Sequence, residues 1–284
     1  MRFGVIYHTA VHGVDPDALA DCARHAEDRG FESFLLPEHV VLQRGAAWGS
    51  VAVDPSLPLA DPLQCLAFVA ATTSRILLGT AVLQLPHHHP VTLAKRLATL
   101  DVLSRGRLRL LTVGLGAVPG ESDAVGIDFA TRGRRADEAI DVLRLLWAGD
   151  ERGVDFAGEF FSFSGLCSFP RPYDRRPLPV HVAGSSRAAA RRAGLRGDGY
   201  FQGGAIGPRE RAKLVELMRE TARTAGRDAE ALEYTRWGSI DLSREQVATH
   251  AANGVTRLVV APAASDPAAR RDELSAFAER HALR

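Results

Sequence analysis

Residues 178–202 read LPVHVAGSSRAAARRAGLRGDGYFQ, and almost every residue has a place in a strand, a turn, a helix or a second strand. Residues 179–183 form a short apolar run suited to a fully buried strand, and Gly184 stops it. Ser185 and Ser186 then open an Ala/Arg-rich helix. Unpaired backbone N–H groups, two hydroxyls and the positive end of the helix dipole converge at this turn, which suits an anion. Taken alone, Gly-Ser-Ser is as well read as a plain N-cap. Its place after the C-terminal end of a buried strand, where barrel enzymes hold their ligands, favours a binding site.

The alternation extends in both directions. Strands are expected at 3–7, 32–36, 75–83 and 107–113 before this unit, and at 233–240 and 257–261 after it. Asp15-Pro16, Asp61-Pro62 and Asp266-Pro267 each set an N-cap carboxylate before a proline in the first helical position, and Ser243 with Gln246 makes a capping box. Helical apolar stripes follow, such as Leu19, Cys22, Ala23 and Ala26, or Ala136, Ile140, Leu143 and Trp147. Residues 156–163, FAGEFFSF, read as a small hairpin inserted before strand five. Residues 37–60 and 117–132 read as loops, and the first is long enough to suggest function. Eight doubly apolar strands alternating with eight helices predict an α/β fold, a closed (β/α)8 TIM barrel forming a single domain over residues 1–284. Gly114-Leu115-Gly116 lacks the third glycine of a dinucleotide fingerprint and lies outside the first βα unit.

Charge and composition narrow the function. Lysine and arginine total 35 against 34 aspartates and glutamates, so neither nucleic acid nor an anionic membrane is an expected partner. Cys22, Cys65 and Cys167 are widely spaced and lack a C-x-x-C, as reduced thiols of a cytoplasmic protein would be. The first ten residues enter a strand without the apolar stretch of a signal peptide, and no run reaches membrane-spanning length. His87-His88-His89 lacks the i, i+4 spacing of a helical zinc pair, so no metal is expected. Arg132, Arg134, Arg135, Arg187, Arg191, Arg192 and Arg196 read as solvated helix faces, or as an attraction for a polyanionic cofactor tail.

Three segments, LGTAVLQLPHHHP (78–90), LSRGRLRLLTVGLGAVPGESDAVGIDFATRGRRADEAIDVLRLLW (103–147) and PVHVAGSSRAAARRAGLRGDGYF (179–201), resemble the recurrent signatures of the bacterial luciferase-like monooxygenase superfamily. The chain length and PEHVV after strand two most resemble the branch using coenzyme F420, a deazaflavin hydride carrier. The resemblance implies a ring over the barrel mouth, with its phosphate at Gly184, Ser185 and Ser186 and with Ala188, Ala189 and Gly203 beside it. It also implies a bulge in strand three, often with a non-prolyl cis peptide, that brings Ala81, Val82 and Gln84 to the ring. It places His39 near the reactive ring carbon as a proton-handling group, with Glu38 where the family usually has Asp. Without the resemblance, a lone loop histidine is more often merely exposed.

This sequence departs from the branch's sugar-phosphate dehydrogenases. Ala117 stands where they carry a catalytic carboxylate, although Glu121 matches an acidic residue the family keeps. Gly203, Gly204 and Ile206 replace phosphate-binding lysines. Trp48 and Phe201 at the mouth suit a neutral, partly hydrophobic substrate instead. The resemblance thus implies an F420-dependent oxidoreductase. Its alternatives are an FMN-dependent monooxygenase fed by a separate reductase and a flavin binder without catalysis. A homodimer is the expected assembly.

Overall fold

A computed structural model describes residues 1–48 and 51–284, with the side chain of Trp48 outside the described set. Eight parallel strands, β1 (Arg2–Ile6), β2 (Ser33–Leu36), β3 (Leu77–Gln84), β4 (Leu108–Gly114), β5 (Val180–Ala183), β6 (Gly199–Gln202), β7 (Glu233–Ser239) and β8 (Arg257–Ala261), close in sequence order into a barrel, with β8 returning to β1. Outside them run α1 (Pro16–Asp28), α2 (Pro62–Thr72), α3 (Pro90–Leu103), α4 (Arg132–Ala148), α5 (Arg187–Arg196), α6 (Pro208–Thr224), α7 (Arg244–Ala252) and α8 (Pro267–His281). The expected (β/α)8 alternation is therefore the observed one, with boundaries displaced by a residue or two.

The helices begin where side chains supply the missing acceptors. Asp15 accepts from the Ala18 N–H at 2.8 Å, Asp61 from Leu63 and Gln64, and Asp266 from Ala269. Ser243 and Gln246 form the reciprocal capping box. The inserted hairpin pairs Val154–Ala157 with Ser162–Leu166, and the N–H groups of Glu159, Phe160 and Phe161 in its turn donate to Glu138 on α4. The short helix Pro119–Ala124 and a small pairing of Ala47–Trp48 with Val51–Ala52 lie in stretches read as loops, and a further short helix, Thr9–His12, lies between β1 and α1.

Apolar packing forms two layers. Ile6, Leu35, Ala81, Leu110, Phe201 and Val259 fill the barrel interior, while the larger cluster lies between the sheet and the helices. At the N-terminal floor, the guanidinium of Arg257, 2% exposed, is gripped by Glu32 and Glu233, and Arg2 meets the same two carboxylates from β1. His181 lies 3.8 Å from Glu233, and burial pushes its imidazole down to about 4. The α7 helix is the exception to close packing, since none of its residues is buried.

Candidate functional site

The C-terminal mouth holds a cavity of about 890 Å3. Among the described residues its wall is built by the segments that follow β1, β2, β4 and β5 and by Val82 and Gln84 of β3 itself, and none of the lining comes from β6, β7 or β8. Glu38, His39, Val82, Gln84, Gly184, Ser185, Ser186 and Ala189 all line it. Three other expected contacts do not. Ala81 faces the barrel interior, Ala188 is exposed on the outer side of α5, and Gly203 lies beyond the lining. Phe201 points into the same interior layer, 4.7 Å from Trp237, instead of standing at the mouth. The expectation for Trp48 falls outside the described residues.

The wall at β2 to β4 is a polar network around one buried carboxylate. Glu121, on the short Pro119–Ala124 helix, accepts from Val40 N–H at 2.5 Å, from Gln84 Nε2 at 3.0 Å and from His39 Nδ1 at 3.0 Å. Burial pushes the Glu121 carboxyl up, but these donors, led by His39, outweigh it and hold the group below the usual range. A carboxylate can only accept, so the His39 proton facing it sits on Nδ1, and proton exchange by this ring is an Nε2 event. Gln84 joins the parts: its backbone N–H donates to Glu38 Oε2 at 2.6 Å and its side chain to the Glu38 carbonyl at 2.9 Å. Glu38 also meets His88 Nε2 at 2.9 Å.

Backbone shape allows this crowding. A non-prolyl cis peptide joins Ala81 and Val82, the register against β4 shifts there, and the Val82 carbonyl accepts from the Glu38 N–H at 3.1 Å. Both glycines of Gly114-Leu115-Gly116 are cleared for neighbours: a Cβ on Gly114 would stand 2.6 Å from Val82, and one on Gly116, at φ +76°, 2.5 Å from Gln84 Oε1. The Gln84 Oε1 atom is buried without a hydrogen-bond partner among the described residues. Across the mouth, Gly184 adopts φ +138°, where a Cβ would collide with Ala189 at 2.8 Å. Ser186 is the N-cap of α5, accepting from Ala189 N–H at 3.1 Å, while the turn itself faces the cavity. Both readings of Gly-Ser-Ser are thus compatible in one turn.

The remaining motifs resolve into structure. His87 meets Ser122, His88 meets Glu38 and His89 packs edge-on to Phe161, so the three rings diverge. Among the described residues no group of three or more His, Cys, Asp and Glu is placed to hold a metal ion. Arg192 and Arg196 pair with Asp137 and Asp141 on α4, and Arg134 pairs with Glu159, which engages much of the arginine set read as attracting a cofactor tail. No described helix is long and apolar enough to cross a membrane. Glu121, matched in sequence to an acidic residue the family keeps but not included among the expected site residues, is the centre of the network. Pro119 with an acid two residues later was its signal, a helix start within a presumed loop.

Comparison with known proteins adds three findings. The luciferase-like monooxygenase family matches residues 1–280. An F420-dependent glucose-6-phosphate dehydrogenase of Kineococcus radiotolerans is 33% identical over 264 residues, spanning 84% of this chain and 74% of that protein. The structure of an F420-dependent secondary alcohol dehydrogenase in complex with an F420-acetone adduct superposes with a TM-score of 0.79 at 17% identity, covering 100% of this chain and 99% of that one, a likeness of fold.

Proposed function

This chain belongs to the luciferase-like monooxygenase family, and we propose that it is an oxidoreductase passing a hydride between coenzyme F420 and a small organic substrate. The observation that carries the reading is one cavity wall holding the His39–Glu121–Gln84 network and the Gly184–Ser186 turn, in a chain with F420-dependent relatives. The residues fit the coenzyme. The cavity lies within the roughly 300–1,000 Å3 typical of ligand sites, its helix start is cleared of side chain at Gly184, and on the opposite wall Gln84 Oε1 is an acceptor orphaned among the described residues. The coenzyme supplies the hydride-carrying carbon when bound. Ser185, Ser186 and the first N–H groups of α5 hold its phosphate, Val82 and Gln84 support its ring, and His39 holds or releases a proton at Nε2. Leu57, Leu59 and Val11 keep water from the site.

No lysine or arginine is among the described residues lining the cavity, which supports an uncharged substrate over the sugar phosphate of the dehydrogenase relatives. The reading further takes residues 1–284 as one domain and the protein as a cytoplasmic homodimer. Titration of the apo-protein with both coenzymes tests the central claim: F420 is expected to bind at least about tenfold more tightly than FMN. Equal or tighter FMN binding sinks it and promotes a monooxygenase served by a reductase; tight F420 binding with no substrate ever turned over leaves a binder.

The α5 turn gives a separable test. Aspartate is a good N-cap, so Ser186→Asp is expected to keep the bond to Ala189 and leave stability within a few tenths of a kcal/mol. It also sets a carboxylate against the coenzyme phosphate and should weaken F420 by more than about tenfold. Unchanged affinity in the same titration means the phosphate binds elsewhere.

A further inference from the structure

Between α6 and α7, outside the barrel, lies a second cavity of about 250 Å3 that shares no lining residue with the mouth. Three arginines face it, Arg211 and Arg219 from α6 and Arg236 from β7. Arg211 donates from Nη2 to the Gly204 carbonyl at 3.1 Å, while the Nε atoms of Arg219 and Arg236 are buried without acceptors among the described residues. The carboxylate on this wall, Glu216, is engaged by Arg223 at 3.2 Å. The other titratable neighbours supply no anion. Burial, and then Arg236 and Arg211, keep His250 of α7 below its ordinary value, and burial keeps Tyr234 protonated.

Guanidiniums crowded together and partly desolvated need a counter-charge, since burial and like-charge repulsion both disfavour them. Both forces act on Arg236, burial first and the neighbouring Arg211 second. The gap beside them exists because α7 buries no residue and contributes only Asn253, at its C-cap, and the following Val255 to the lining. A void below about 300 Å3 is small for most organic ligands, and the planar fork of arginine matches the oxygens of a phosphoryl group.

We propose that this cavity binds a phosphoryl group, as inorganic phosphate or at the end of a small phosphate ester, with Arg211, Arg219 and Arg236 as its ligands. The bound anion ties α6 and β7 together where α7 leaves them uncovered. This site does not rest on the coenzyme reading, because it shares no lining residue with the mouth.

The test titrates the full chain with inorganic phosphate at constant ionic strength, chloride balancing, and follows both Tm and heat of binding. Wild type is expected to show a saturable rise in Tm, as any ligand selective for the native state produces. In the Ser186→Asp background, which closes the α5 turn to phosphate, Arg219→Gln and Arg236→Gln should each weaken phosphate by about tenfold or more, and the double variant should lose the response. Neither side chain makes an ion pair in the described residues, so both variants should match wild type in far-UV circular dichroism and in chloride Tm. Ser186→Asp should retain the response, which separates this site from the mouth. Glycerol phosphate binding more tightly than phosphate identifies an ester as the ligand, and the reverse identifies the free ion. A phosphate effect no larger than that of chloride, a response surviving in the double variant, or loss of the response in Ser186→Asp overturns the proposal.

Discussion

Replacing His39 by alanine is expected to lower kcat by about 10²–10⁴-fold while the coenzyme Kd moves only a few-fold. The expectation follows from how the ring is held. Glu121 is buried, anionic and fixed by Val40 and Gln84, and it orients the imidazole through Nδ1. The phosphate-binding turn assigned to Ser185 and Ser186 belongs to β5, separated from β2 by two intervening strands, so removing the ring spares that anchor. His39→Gln keeps a polar side chain but cannot exchange a proton near neutrality, and should be nearly as slow. The measurement needs an accepted substrate, found by screening uncharged organic compounds anaerobically for oxidation of the reduced coenzyme. Normal turnover by His39→Ala would falsify the assignment and move the proton to Glu38, Glu121 or solvent.

At the other end of the barrel, Arg257→Met should cost about 3–5 kcal/mol in denaturant unfolding at neutral pH, the scale for breaking a buried ion pair from one side. Glu32 and Glu233 would then face each other with Arg2 as the remaining cation, 41% exposed in its side chain. The pH dependence has a definite sign. Burial raises the Glu233 carboxyl, but Arg257 overrides it and holds it below the usual range. That stabilisation is complete above the unfolded pKa of about 4.3 and is lost as pH falls through the folded value. His181 acts earlier, because a ring held at about 4 in the fold and near 6.5 when unfolded favours unfolding as pH drops between those values. Wild type should therefore lose stability from about pH 6.5 downward, and the penalty of Arg257→Met should shrink in acid. A variant as stable as wild type at pH 7 would mean that the pair gains no more than its desolvation cost.

The local instructions were legible: Asp-Pro at three helix starts, Ser243 with Gln246 at a fourth, and the compact unit of 178–202 each fix backbone hydrogen bonds within a few residues. The contacts that matter most to the site and to the floor are not local. Glu121 reaches His39 across 82 positions, and Arg257 reaches Glu32 across 225. Neither distance has a periodic trace in sequence, since closure of the barrel, and not any motif, brings the groups together. The family resemblance supplied His39, the strand–turn–helix pattern and the resemblance each pointed to the Ser185-Ser186 turn, and packing decided that Ala81 and Phe201 turn into the barrel instead of toward the mouth.

Among the described residues the mouth is furnished by four connections, those leaving β1, β2, β4 and β5, with Val82 and Gln84 of β3 between them, and the three that leave β6, β7 and β8 contribute nothing to its lining. In evolutionary terms the rim has a conservative side and a permissive side. The loop after β6 still packs at Gly204 against Ser185 of the α5 turn, whereas insertions, deletions or exchanges after β7 or β8 can accumulate without passing through Glu121, Gln84 or that turn. A lineage built on this chain could remodel what approaches its coenzyme by drift in those two loops alone, inheriting the chemistry unchanged.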